Sequence, residues 1–320
     1  MQSINKAIGS ELEYFEKYFE AAFKSHVPLL DKIFTYLARQ KGKQMRPMFV
    51  LLCARLGGII NDKTYRAALF VEMLHTSSLV HDDIVDDSLE RRGMFSVNAL
   101  WKSRVAVLTG DNLFTKSVLL LLSNEDYRIL NIFSSAISKV IEGELLQMDK
   151  SRKLNLKEDI YFDIIKGKTA TLLAAACAAG AASTFKDDTL IEQLYSFGEK
   201  TGIAFQIKDD LLDYGNTDIG KPKGNDIKEK KVTLPLIYVL NNCDAVIRKK
   251  LIRIVKCKNT DKKSIDYLIE EVKKNGGIDY AEEKMLAFRD EALKLLYDFP
   301  ASDIRSALEE LVRYTTNRTN

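Results

Sequence analysis

Between Met48 and Lys221 the chain contains no proline, although five prolines (Pro28, Pro47, Pro222, Pro235, Pro300) occur in its 320 residues. A stretch of that length without a helix breaker, with apolar residues recurring at the helical period and few alternating runs, predicts long α-helices. The expected fold class is all-α. Helices are expected at about 4–24, 28–40, 47–57, 62–87, 98–122, 126–150, 157–182 and 187–214, with the later ones serving as covering elements. No Gly/Ser linker, low-complexity tract or repeat divides the chain, so one domain over 1–320 is expected.

Two acidic pentads stand out against this apolar background: Asp82-Asp83-Ile84-Val85-Asp86 and Asp209-Asp210-Leu211-Leu212-Asp213. Residues four apart share a helix face at about 6 Å, so Asp82 points with Asp86, and Asp209 with Asp213. Carboxylates held that close repel unless a cation lies between them. Oxygen donors without nearby Cys or His suit Mg²⁺, which keeps waters and bridges to phosphates. Apolar residues (Leu79-Val80, Ala204-Phe205) precede each pentad, as expected for carboxylates lining a pocket. Each pentad lies near a helix C-terminus, where negative charge is unfavourable without a compensating cation. Loops rich in Lys and Arg follow both, so metal and cations together suggest a diphosphate site.

Charge places other classes at a distance. A net charge of +3, from 48 basic and 45 acidic residues, gives no basic patch of the strength that nucleic acid requires. Cys53, Cys177, Cys243 and Cys257 show no metal-ligand spacing and read as reduced thiols of a cytoplasmic protein. No signal peptide is expected, and the runs Val118–Leu122 and Leu172–Ala182 look too short to span a bilayer, so no transmembrane segment is expected.

The chain closely resembles the trans-type (head-to-tail) polyprenyl diphosphate synthases. The resemblance is carried by Gly42-Lys43-x-x-Arg46-Pro47, by Leu74 through Asp86, and by Arg91-Arg92-Gly93. It continues through Lys168-Thr169, Phe205-Gln206-Ile207-x-Asp209 to Asp213, Gly220-Lys221-Pro222 and Lys231-x-Thr233-Leu234-Pro235. It implies the isoprenoid synthase fold, a single-domain bundle of long antiparallel helices around a central cavity, as a homodimer. It also implies successive condensation of isopentenyl diphosphate onto an allylic diphosphate (dimethylallyl, geranyl or farnesyl). Three Mg²⁺ on Asp82, Asp86 and Asp209 would neutralise the leaving group, with Asp83, Asp210 and Asp213 completing the inner shell or acting through water. Lys168, Lys221, Arg91 and Lys231 would bind the allylic diphosphate. Lys43, Arg46, His75 and Arg92 would hold isopentenyl diphosphate, and Thr169, Phe205 and Gln206 would line the carbocation site.

The helix of the first pentad should also wall the path of the growing product. Ser77 and Ser78 are small where short-chain members of the family place aromatics, so a long-chain, octaprenyl- or solanesyl-like product is expected, for a quinone side chain. Leu74 and Phe70, with Phe114 or Leu121, are the expected bounds. From Asp82 back to Phe70 the helix rises about 18 Å, the span of several isoprene units. A short-chain farnesyl or geranylgeranyl synthase and a non-catalytic subunit of a heteromeric synthase are the alternatives; a terpene cyclase would carry a different second metal motif.

Overall fold

A computed structural model describes residues 2–40, 42–153, 157–215 and 224–317. It is all-α, as the proline-free stretch predicts. In chain order come α1 (Gln2–Ala22), α2 (Pro28–Arg39), α3 (Met45–Gly57), α4 (Asp62–Val85), the two-residue strands β1 (Glu90–Arg91) and β2 (Met94–Phe95), and α5 (Val97–Leu122). These are followed by α6 (Tyr127–Lys153), α7 (Glu158–Ile165), a π-helical turn (Lys166–Ala170), α8 (Thr171–Ala182), α9 (Asp188–Leu212) and α10 (Asn225–Lys228). The chain closes with α11 (Leu234–Asn242), α12 (Ala245–Cys257), α13 (Lys262–Lys274), α14 (Gly277–Tyr297) and α15 (Asp303–Asn317).

The chain forms two compact units, the first from Met1–Ser135, Ala175–Tyr195 and Phe299–Glu310, the second from Ala136–Ala174, Ser196–Asp298 and Leu311–Asn320. In the first, α4 starts at a capping box. The Asn61 side chain accepts from the Lys63 and Thr64 amides, and Thr64 Oγ1 accepts from the Asn61 amide. Phe70 of α4 is fully buried and stacks on Phe133 at 4.5 Å, a pairing worth about 0.5–1.5 kcal/mol beyond area burial. The second unit has its own core, in which Ile203, Ile207 and Tyr214 meet Leu234, Leu251 and Leu268.

The expectation that apolar runs fall short of a bilayer needs correction. Two helical stretches, Val97–Leu122 and Glu158–Ala182, are long and apolar enough to cross a membrane by length and composition. Interspersed polar residues hide this when only unbroken apolar runs are counted. Glu158–Ala182 behaves as a core helix, with 78% of its most apolar window buried, against 33% for Val97–Leu122. The latter leaves Leu100, Val107, Leu108, Phe114, Leu119 and Leu122 exposed.

Candidate active site

In the first unit α4 ends at Val85, placing the first pentad on its last turn, with Asp86 as the C-cap. The three carboxylates then diverge in exposure. Asp83 is 4% exposed, whereas Asp82 is half-buried and Asp86 exposed. The guanidinium of Arg91 grips Asp83 Oδ1 through Nε at 2.8 Å and Nη2 at 2.6 Å. Burial pushes the Asp83 carboxyl upward, and Arg91 opposes that shift.

Arg91 and its neighbour turn different ways because they occupy a tight hairpin. Arg91 pairs with Met94, and the intervening Arg92 and Gly93 have φ of 54° and 72°, the left-handed pair of a two-residue hairpin loop. Arg92 swings to the loop before α3, where its Nη1 donates to the Gln40 carbonyl at 2.7 Å. A Cβ on Gly42 would lie 2.7 Å from that guanidinium, so a larger residue there would push the Arg92 side chain aside. Lys43 is exposed, whereas Arg46 Nε and Gln44 Nε2 are buried without a hydrogen-bond partner among the described residues. Orphaned buried donors beside clustered arginines suit an anionic ligand. Glu72, 5% exposed, is the acid that faces Arg46 and Arg92 electrostatically.

His75 lines a small cavity with Glu72, Leu79, Asp83, Arg91 and Arg92. Burial first, then the Arg46, Arg92 and Arg91 cations, hold its pKa well below the usual imidazole range. It is therefore neutral at pH 7. A histidine whose folded pKa lies below the unfolded one contributes stability above the unfolded value, about 6.5, and loses it as pH falls through the folded value. His75→Gln should thus flatten the acid side of a melting-temperature–pH curve; an unchanged acid limb would contradict this placement.

The residues expected to bound the product spread around α4. Ser78, whose Oγ donates to the His75 carbonyl, lies one turn before Asp82 and shares its face. Ser77 does not: it is buried, and its Oγ donates 2.8 Å to the Gly110 carbonyl of α5. Leu74, Phe70 and Leu121 are buried, and Phe114 is exposed.

In the second unit the second pentad occupies the last turn of α9. The same division recurs: Asp210 is 5% exposed, Asp209 exposed and Asp213 half-buried. Asp210 Oδ2 accepts from the Tyr161 hydroxyl at 2.7 Å, and Oδ1 from Gln206 Nε2 at 2.8 Å. The Gln206 carbonyl oxygen accepts from Thr169 Oγ1 at 2.7 Å. Burial, then Asp226, drive the Asp210 carboxyl well upward, against its two donors. Asp213 accepts from the Asn225 and Asp226 amides that open α10, at 2.8 and 3.2 Å. Asp226 is pushed up to about 7 by burial and then by Asp213.

Lys168 and Thr169 lie on the π turn, where one extra residue per turn changes which side chains face the same way. Two close approaches hold that turn in place. A Cβ on Gly143 of α6 would come within 2.8 Å of the Lys168 amide nitrogen, and one on Gly202 of α9 within 2.5 Å of Ala170 Cα. Lys168 Nζ pairs with Glu144 at 2.6 Å. Phe205 is half-buried, and Lys231 pairs with Glu229. Lys221 lies outside the described residues.

Among the described residues no three His, Cys, Asp or Glu side chains are gathered closely enough to hold a metal by themselves. Mg²⁺ does not need such a cage, since it binds through one or two carboxylates, waters and substrate phosphates. Asp82 and Asp86, oxygen donors one helical turn apart, fit that chemistry.

Residues 27–272 match the polyprenyl synthetase family. This chain belongs to that family. It is a prenyltransferase, of a family generally dependent on Mg²⁺. The chain is 33% identical to heptaprenyl diphosphate synthase component 2 of Bacillus subtilis over 97% of its own length and 89% of that protein's. A polyprenyl synthase from Caulobacter crescentus, solved with calcium and isoprenyl diphosphate, superposes with a TM-score of 0.93 at 32% identity, covering 100% of this chain and 98% of that one. A geranylgeranyl pyrophosphate synthase from Bacteroides thetaiotaomicron superposes at 0.85 with 38% identity, covering 99% and 100%. Other relatives carry the names nonaprenyl, solanesyl and octaprenyl diphosphate synthase.

Within this polyprenyl synthetase the sequence reading missed Glu72, Tyr161, Glu144 and Asp226. Glu72 did leave a signal, a lone carboxylate inside the apolar run Ala67–Leu74. Tyr161 left none, since a tyrosine in an amphipathic helix reads as core until its hydroxyl partner is known.

Proposed function

We propose that this polyprenyl synthetase is a long-chain all-trans polyprenyl diphosphate synthase, one domain working as a homodimer and adding isopentenyl diphosphate repeatedly, 1′–4, to an allylic diphosphate. The observation that carries the reading is the repeated plan of the two pentads. Each ends a helix, anchors its second aspartate internally and leaves its first more exposed. Carboxylates at such positions have the oxygen-donor chemistry that Mg²⁺ takes. The long-chain names of several relatives support the product class, and a quinone side chain is the use we propose for it.

Asp82, Asp86 and Asp209 would serve as the Mg²⁺ ligands, with three ions bound. Mg²⁺ held there would neutralise the charge on a departing diphosphate. Lys168, with Lys231, Lys221 and Arg91, adds positive charge for the allylic diphosphate; Arg91 also fixes Asp83, which orients the turn. Arg46, Arg92, Lys43 and neutral His75 offer donors to isopentenyl diphosphate without metal, and the orphaned Arg46 Nε and Gln44 Nε2 gain acceptors there. Thr169, Gln206 and Phe205 present oxygen lone pairs and a ring face to the allylic cation. The released diphosphate takes the proton. The exposed apolar residues of α5 suit burial against a second copy.

The test is incubation of purified protein with Mg²⁺, farnesyl diphosphate and labelled isopentenyl diphosphate, with chromatography of the dephosphorylated product. A ladder ending beyond geranylgeranyl supports the proposal. A stop at geranylgeranyl supports the short-chain reading that the Bacteroides similarity favours, and no turnover without an added partner supports the subunit reading that the name component 2 raises. Ser78 shares the pentad's face, so Ser78→Phe should shorten the product by at least one unit. Unaltered length would remove Ser78 from the product path.

A further inference from the structure

The hydrogen bonds that end on Asp210 have a fixed sense. Gln206 Nε2 donates to Asp210 Oδ1 at 2.8 Å while the amide oxygen accepts from Thr169 Oγ1 at 2.7 Å, so the amide NH₂ is turned toward Asp210 and its oxygen toward Thr169. The Thr169 hydroxyl then donates to that oxygen and keeps its own lone pairs outward. Were Gln206 reversed, its NH₂ would face Thr169 and place donor hydrogens where the proposed function needs acceptors. What keeps Asp210 in the required plane is its other oxygen, which accepts from the Tyr161 hydroxyl at 2.7 Å. Tyr161 is 4% exposed, and its ring packs edge-on against Phe162 at 5.4 Å, so the hydroxyl has little freedom. Tyr161 lies on α7, which runs directly into the π turn that carries Thr169, so one continuous helical segment sets both ends of the chain of donors.

From this geometry we infer that Tyr161 is a positioning residue for the prenyl transfer: through Asp210 it sets the orientation of the Gln206 amide. The inference rests on the function proposed above and deepens it at the cation-facing side. Tyr161 acts through Asp210, to which its hydroxyl donates. Removing its hydroxyl leaves one buried carboxylate oxygen without its donor, and the Asp210 plane is then free to rotate away from Gln206. The expected signature is a loss in the chemical step with little change in how the diphosphates bind.

The experiment is a double-mutant cycle on the purified, Mg²⁺-loaded enzyme with Tyr161→Phe, Gln206→Ala and both together. Tyr161→Phe should lower kcat about 10- to 100-fold, the consequence of leaving a buried acceptor without its donor. KM for both diphosphates, and the affinity for inorganic diphosphate with Mg²⁺ by calorimetry, should stay nearly unchanged, as when the lost interaction is made only in the transition state. In the Gln206→Ala background the same substitution should change kcat no further. A purely structural tyrosine gives the opposite pattern: equal losses in both backgrounds, tracking a fall in melting temperature. That result, or full activity of Tyr161→Phe beside an active wild type, overturns the inference alone. An inactive wild type overturns the proposed function and this inference with it.

Discussion

Alanine at Asp82 or at Asp209 is expected to lower product formation by at least about a thousandfold, because metal neutralisation of a leaving diphosphate supplies several kcal/mol and each 1.36 kcal/mol is tenfold in rate. The fold should survive, since Asp82 is half-buried and Asp209 exposed. The informative contrast is with the second aspartate of each pentad. Asp83→Asn removes the charge that Arg91 pairs with, and Asp210→Asn turns one of two acceptor oxygens into a donor facing Tyr161 or Gln206, so their first effect should be on stability and on the geometry of those partners. Mg²⁺ titrations separate the two kinds of loss. The Asp82 variant should need far more metal for whatever activity remains, and the Asp83 variant should keep a metal midpoint near that of the wild type. Equal metal midpoints for both would show that position within the pentad does not sort the roles, and full activity of the Asp82 variant would sink the proposed site.

The helices were legible because one compositional fact, the missing proline, acts over a long stretch. The expected 62–87 and 187–214 became Asp62–Val85 and Asp188–Leu212, with each pentad at the helix end where it was expected. What stayed hidden depended on single residues. The hairpin at Glu90–Phe95 turns on Arg92 and Gly93, and Arg-Gly is not the Asn-Gly or Asp-Gly pair that marks such loops. The π turn at Lys166–Ala170 adds one residue inside an apolar segment, which period analysis over a window of a dozen residues averages away. Its cause lies in packing, where Gly143 and Gly202 let backbones close upon it. Within the pentads the sequence made three equal carboxylates of what the fold divides into exposed and anchored ones, because burial at the ends of α4 and α9 is set by partners such as Arg91 and Tyr161.

Glu72→Gln should destabilise the protein by about 3 kcal/mol, the typical consequence of leaving a buried charge without its partner. Three cations, Arg46, Arg91 and Arg92, act on neutral His75, and Glu72 is the acid set against Arg46 and Arg92. Burial raises the Glu72 pKa and the two arginines pull it back, while burial lowers the pKa of both arginines and Glu72 restores them. Each side therefore keeps the other charged. Glutamine keeps the shape and removes the charge, and the Arg46 Nε already has no acceptor among the described residues. Urea unfolding should show a lower midpoint with an unaltered slope. Inorganic diphosphate should then restore the variant more than it stabilises the wild type, because an anion that binds only the native state adds RT ln(1 + [L]/Kd) and the uncompensated cations lower Kd. The same anion should return less to a Glu72→Gln/Arg92→Gln double variant, in which the excess charge has been removed. If the single variant unfolds at the wild-type midpoint, Glu72 is protonated in the native state and the arginines are compensated elsewhere; if diphosphate stabilises both proteins equally, these cations do not form the anion site.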